Sequence, residues 1–232
     1  MPEPFRVEVS SLQTTTALVY RAATKHPAGV TLILGRGAGA GQTSDFMTSF
    51  AGGLAARGID TITFNFLYSE QGRRLPDPND RLEACWRAVI EAVRERIVSS
   101  NDRLAIGGKS MGGRIASQVA AAGVAGLAGL VFLGYPLHPP GRPYRLRSTH
   151  LSDIEAPMLF VQGSRDAFGT PDELRPIIAP LKLQADLYIV EGGDHSFKLR
   201  KGAGLSQDHV HGAIQDHIAA WLGEIATVRR AR

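Results

Sequence analysis

The sequence predicts an α/β fold: a mostly parallel central sheet of about eight strands with helices on both faces, in one domain spanning residues 1–232. Three observations predict it. Short, β-branched apolar runs alternate with stretches of helical periodicity, as a parallel sheet with crossover helices requires. Some runs are apolar at every position, which suits strands buried on both faces. Glycine clusters close two of them, where a chain leaving a sheet turns sharply. The 232 residues suffice for one large core, and no repeat, low-complexity tract or linker divides them.

The elements follow in order. Residues 5–11 and 15–22 read as two strands close enough to form a hairpin, and 30–34 as a strand buried on both faces. Residues 43–57 form a helix closed by Arg57-Gly58, and 61–66 a strand. A helix over 80–98 starts from a cap at Asn79 or Asp80, with Leu82, Cys85, Trp86, Val89, Val93 and Ile97 on its apolar face. Residues 104–107 are a short strand, 111–122 a helix and 127–133 a strand. The segment 135–149, rich in proline and arginine, is a loop. Then come a strand at 157–162, a helix at 171–180, a strand at 185–190 and a helix at 207–224 capped by Ser206. Val210, Ile214, Ile218, Leu222 and Ile225 line one face of that last helix.

Composition narrows the function. Apolar residues make up 44% and charged residues 21%, ordinary for a soluble globular protein. The net charge of +4 comes from basic residues spread along the chain, with one tight terminal cluster, VRRAR, at the C-terminus. No zinc finger, basic zipper or aromatic-interleaved basic motif accompanies it, so no nucleic-acid partner is expected. No apolar run approaches the ~20 residues of a membrane span, and MPEPFRVEVS lacks the basic start and apolar stretch of a secretory signal. A cytoplasmic location is the expectation. The single cysteine, Cys85, allows no intrachain disulfide and no cysteine zinc cage.

The stretch IGGKSMGGR, residues 106–114, carries two rival motifs. Gly108-Lys109-Ser110 resembles the end of a phosphate-binding loop, but that loop needs a glycine where Arg103 stands, and residues 103–106 read as strand. Gly108-Lys109-Ser110-Met111-Gly112 matches G-x-S-x-G, the strand–turn–helix elbow that presents a nucleophilic serine. Here the context agrees: strand before, helix after, and Ser110 at a helix N-terminus where the dipole favours developing negative charge.

A serine elbow calls for an acid and then a histidine, each on a loop after a later strand. Asp166 follows the strand at 157–162, and His195 follows the strand at 185–190. The expected catalytic set is therefore Ser110, Asp166 and His195. Asp194, adjacent to the histidine, is read as shaping the loop. The other Asp-His pairs, Asp208-His209 and Asp216-His217, lie in the last helix and face solvent. His209 and His211, two apart on a helix, point in different directions, so no metal is expected. Cys85 on its apolar face reads as core.

A second glycine run, LGRGAGAG, spans residues 34–41. Gly35-x-Gly37-x-x-Ala40 loosely fits a dinucleotide fingerprint, but the next strand ends in Asn65-Phe66 with no acid to hold a ribose. In the serine reading this loop supplies one oxyanion-hole amide. The candidates are the amides of Ala38 and Met111.

Over nearly its whole length the chain resembles the α/β-hydrolase superfamily. More narrowly it is similar to the dienelactone-hydrolase-like branch, and within it to the hydrolases grouped with testis-expressed protein 30. The resemblance rests on GAGAG at 37–41, GGKSMGGR at 107–114, LGYPLHPPGRP at 133–143, QGSRDAFG at 162–169 and GGDHSF at 192–197. It implies an α/β-hydrolase fold with a small lid, a serine triad and no cofactor. Two departures stand out. Dienelactone hydrolases proper use a cysteine nucleophile where this chain has Ser110, and many hydrolases of the group carry a histidine where Arg36 stands. Some relatives serve as scaffolds, so a non-catalytic interaction protein is the second reading.

The resulting expectation is a serine hydrolase acting on a small carboxylic ester, with thioesters and small amides as alternatives. Residues 135–149 are expected to form a short fixed lid, stiffened by Pro136, Pro139, Pro140 and Pro143. Substrate contacts are expected from Arg36, Gly37, Tyr135, His138 and Arg142. Arg73, Arg74, Arg145 and Arg147 leave the same sheet edge, and their convergence with Arg36 and Arg142 favours an anionic substrate.

Overall fold

The computed structural model describes residues 1–24, 27–97, 103–181, 185–202 and 204–228. The cluster VRRAR lies outside them except for the backbone of its first residue, as does the last residue of the helix expected over 80–98.

Eight strands form one sheet: β1 (Glu3–Ser10), β2 (Gln13–Tyr20), β3 (Val30–Gly35), β4 (Asp60–Phe64), β5 (Arg103–Lys109), β6 (Leu127–Leu133), β7 (Met158–Gly163) and β8 (Ala185–Val190). Their spatial order is β1-β2-β4-β3-β5-β6-β7-β8. The hairpin strand β2 runs antiparallel to both neighbours, β1 and β4, and every other pairing is parallel. Strands β3, β6 and β7 are buried at every position, which is why they are almost wholly apolar, with Thr31 and Gln162 the buried polar exceptions.

Alternate residues of these strands feed two cores. Ile33, Ile106, Leu130 and Phe132 face one side, with α3 (Asn79–Arg96), α4 (Met111–Ala121) and α5 (Pro171–Ile178) laid over it. Leu32, Leu34, Ala105, Val131 and Leu133 face the other, covered by α1 (Asp45–Ala55) and α6 (Gln207–Val228). A four-residue helix, α2 (Leu67–Glu70), follows β4, and a short 3₁₀ helix spans Thr149–Asp153.

Most element ends fall within two residues of expectation. The strand expected at 61–66 stops at Phe64, which leaves Asn65 free to accept the Gln42 N–H on its side chain at 3.0 Å. The cap of α3 is Pro78, with Asn79 already helical, so neither expected cap residue serves. Ser206 does cap α6, its hydroxyl accepting the His209 N–H at 3.2 Å. Helix α5 begins with a reciprocal capping box between Thr170 and Glu173 that the sequence reading missed.

Candidate active site

The turn between β5 and α4 is shaped by close contact with β3. Gly108 pairs with Gly35 across the sheet at φ +147°, and a Cβ there would lie 2.1 Å from the Gly35 oxygen. A Cβ on Gly112 would lie 2.3 Å from the Gly35 carbonyl carbon. The motif's two glycines therefore let the serine turn sit against the end of β3. Ser110 itself adopts φ 50°, a region L-residues avoid at a cost of about 1–3 kcal/mol. Two backbone bonds hold it there: its N–H donates to the Leu133 carbonyl at 3.0 Å, and its carbonyl accepts the Arg114 N–H at 3.0 Å.

The loops after β7 and β8 meet this serine. His195 Nε2 lies 2.8 Å from Ser110 Oγ, and His195 Nδ1 lies 2.7 Å from Asp166 Oδ2. A carboxylate only accepts, so Nδ1 carries the hydrogen and Nε2 is left facing the serine hydroxyl. Asp166 is buried and fully engaged. Its Oδ1 accepts the Phe168 N–H at 2.8 Å, and Oδ2 also accepts Gln162 Nε2–H at 2.8 Å. The Phe168 ring stacks on the imidazole, centroids 4.2 Å apart. Asp194 does shape the loop: its Oδ1 accepts the N–H groups of Ser196 and Lys198 at 2.8 and 2.9 Å.

The loop after β3 brings Gly37 and Ala38 beside Ser110 and Met111 in one cleft of about 920 Å³. Among the described residues, neither the Ala38 nor the Met111 N–H donates to a protein acceptor. The Ala38 peptide is anchored from behind. Tyr68 donates its hydroxyl to the Ala38 carbonyl at 2.9 Å and accepts from Arg36 Nη1 at 2.6 Å.

That arrangement corrects the expectation for Arg36, which is only 4% exposed and does not line the cleft. Its guanidinium is held by Tyr68, on the small helix α2 that sequence periodicity could not detect. Three other expected substrate contacts are also turned elsewhere. Tyr135 is buried, donating its hydroxyl to the Arg147 carbonyl at 2.8 Å. His138 is buried between the Pro139 carbonyl and Glu173. Arg142 is exposed and absent from the cleft wall. The 135–149 segment is tied down by His138 N–H to Phe168 O and Arg147 N–H to Leu137 O, at 3.0 and 2.8 Å. It reaches the cleft through Pro136 and Arg147, one near each end.

Lys109, at the first unspecified position of G-x-S-x-G, has an environment that the motif does not predict. Its ammonium is buried, donates to the His195 carbonyl, and lies over the rings of Phe46 and Phe197 at 5.7 and 5.8 Å. Burial lowers it to about 8, against the pull of Asp166 and Asp194. Cys85 is buried and its thiol is pushed up to about 12 by that burial, which fits a core residue and not a nucleophile. Among the described residues no three His, Cys, Asp or Glu side chains are grouped to hold a metal ion, and no helix is long and apolar enough to cross a membrane.

An eight-stranded, mostly parallel sheet with one antiparallel strand, and a serine on the sharp turn after its central strand, is the α/β-hydrolase fold. The chain belongs to the alpha/beta hydrolase domain family, which matches residues 28–223. Solved structures of that fold superpose on it almost end to end. An α/β serine hydrolase from Xanthomonas campestris, described as lacking a lid, shares 22% identity at a TM-score of 0.73, covering 95% of this chain and 94% of that one. A dienelactone hydrolase from Anabaena variabilis shares 18% at 0.69, with 95% and 96% covered. Est1E from Butyrivibrio proteoclasticus shares 12% at 0.71, with 97% and 99% covered. At these identities the likeness is one of fold.

Proposed function

We propose that this protein is a serine hydrolase that cleaves small carboxylic esters, with thioesters and small amides as further candidates, through an acyl-enzyme intermediate. On its motifs we place it with the dienelactone-hydrolase-like enzymes grouped with testis-expressed protein 30. The observation that carries the proposal is the unbroken hydrogen-bonded chain from Ser110 Oγ through His195 to Asp166, at 2.8 and 2.7 Å.

In this reading His195 Nε2 takes the Ser110 proton as Oγ attacks the ester carbonyl carbon, giving a tetrahedral oxyanion. The amides of Ala38 and Met111 donate to that oxyanion, each worth about 3–4 kcal/mol to the transition state. The intermediate collapses as the imidazolium returns its proton to the leaving alkoxide, and the alcohol departs. Water then attacks the acyl-serine with His195 as base, releasing the acid and restoring Ser110. Asp166 stays ionised, fixes the imidazole tautomer and stabilises the imidazolium. The segment 135–149 acts as a fixed wall of the cleft rather than a mobile cap.

Activated aryl esters test this. The expected result is a burst of the aryl alcohol close to one equivalent of enzyme, followed by slower turnover, and neither with Ser110→Ala. Turnover by folded Ser110→Ala at the wild-type rate would reject the mechanism.

A further inference from the structure

The ester reading leaves two guanidinium groups of the cleft without a task. Arg114 lies in the first turns of α4, its N–H bonded to the carbonyl of Ser110 itself. Arg147 lies near the end of the 135–149 segment that follows β6. Both line the same cleft as Ser110 and both are partly buried.

Neither has a carboxylate within 4.0 Å among the described residues. Arg114 donates only to the neutral oxygens of Asn79 and Gln118, each at 3.2 Å, and Glu83 acts on it only from a distance. The Arg147 side chain makes no hydrogen bond among the described residues. Among the described residues, two other partly buried arginines meet a carboxylate, Arg57 with Asp216 at 2.7 Å and Arg94 with Glu91 at 3.2 Å, while Arg87 and Arg103 have none within 4.0 Å but do not line the cleft.

This arrangement costs stability three times over. Desolvating a guanidinium without a counter-charge is unfavourable. The two groups repel one another, and burial together with Arg147 holds Arg114 below its ordinary range. Arg114 also stands near a helix N-terminus, where the dipole disfavours a cation. An anion placed between them would reverse all three terms, since arginine grips a carboxylate or phosphate through two parallel hydrogen bonds.

We propose that Arg114 and Arg147 form a subsite for an anionic group, a carboxylate or a phosphate, carried by the ester away from the scissile bond. This rests on the ester-hydrolase reading and narrows its substrate class. Of the arginines expected from the sequence to form an anion site it keeps Arg147 alone, and it adds Arg114. Arg36 is in the core, Arg73 is paired with Asp77, and Arg142 and Arg145 are exposed away from the cleft.

The test uses p-nitrophenyl esters of matched straight-chain diacids ending in a carboxylate, a phosphonate or a neutral methyl ester. The quantity read is the ratio of kcat/KM for each anionic probe to that for the neutral one, so that a change common to all probes cancels. In the wild type the better anionic probe should exceed the neutral one by about tenfold or more at low salt, with the excess shrinking as salt rises. Which probe wins distinguishes carboxylate from phosphate. Arg147→Gln should bring the ratio close to one, and Arg147→Lys should keep part of the preference. A wild-type ratio near one with brisk turnover of the neutral probe would overturn the subsite and leave the hydrolase reading intact. So would an unchanged ratio in folded Arg147→Gln. No turnover of any probe by folded protein would overturn both.

Discussion

Replacing Asp166 by Asn should disable the imidazole while leaving the fold in place. In the wild type Oδ1 accepts one backbone N–H, from Phe168, and Oδ2 accepts from Gln162 and from His195 Nδ1. An amide cannot serve both sides. If its oxygen keeps the Phe168 N–H, its NH₂ faces the Gln162 NH₂ and drives His195 to the tautomer with a bare Nδ1. Nε2 then carries the hydrogen and cannot take a proton from Ser110. If the amide turns over, its NH₂ faces the Phe168 N–H instead. One buried donor is left unmatched either way, costing about 1–3 kcal/mol of stability. The wrong tautomer should lower kcat by roughly 10⁴-fold, or about 5.5 kcal/mol of barrier. Asp194→Asn is the control, because an amide oxygen can still accept both N–H groups of Ser196 and Lys198. The assay is kcat on an activated aryl ester, with a urea midpoint for each variant. A folded Asp166→Asn within about tenfold of wild type, against the 10⁴ expected of a misoriented histidine, would refute this account of the acid. So would a larger loss in Asp194→Asn.

Two further variants probe the supports around the serine. Lys109 is held at about 8, below its ordinary 10.5, so between those values the unfolded chain binds a proton that the folded chain does not. Folding stability should therefore rise with pH across that window by about 3 kcal/mol relative to Lys109→Met, with the penalty fully present below pH 8. Urea unfolding of both proteins from pH 7 to 10 measures the difference, and a flat or falling one would contradict the burial argument. Tyr68→Phe removes the hydroxyl between Arg36 and the Ala38 carbonyl, so kcat should fall about 10–100-fold through a displaced Ala38 amide, with KM changed less. Steady-state kinetics check this, and an equal change confined to KM would assign Tyr68 to substrate binding instead.

How much of the site could be read in the sequence follows from what each feature depends on. The Ser110 turn was legible because it is local: strand, two glycines at fixed spacing, helix. Asp166 and His195 were legible because chain order along a parallel sheet places the loops after β7 and β8 at the same edge as Ser110. Side-chain direction was not legible. Arg36, Tyr135 and His138 sit in segments that do approach the cleft, yet each turns its side chain inward, to Tyr68, to Ser117 and the Arg147 carbonyl, and to Glu173. Tyr68 escaped notice because a four-residue helix carries no periodicity. Lys109 at an otherwise apolar strand end signals a buried ammonium, but its partner, the His195 carbonyl, comes from a distant loop. Arg114 was not legible as a site residue, because its lack of a carboxylate partner exists only in three dimensions.

The measurement that bears most directly on the central claim is covalent labelling by a fluorophosphonate, which reacts with a serine only when it is activated. The account predicts one phosphonyl group per chain, located by peptide mass spectrometry on Ser110, and its absence from folded Ser110→Ala. No label on folded wild-type protein, or a label that persists in folded Ser110→Ala, would contradict the assignment of Ser110 as a nucleophile. A wild type that fails to label would favour a non-catalytic scaffold on the same fold.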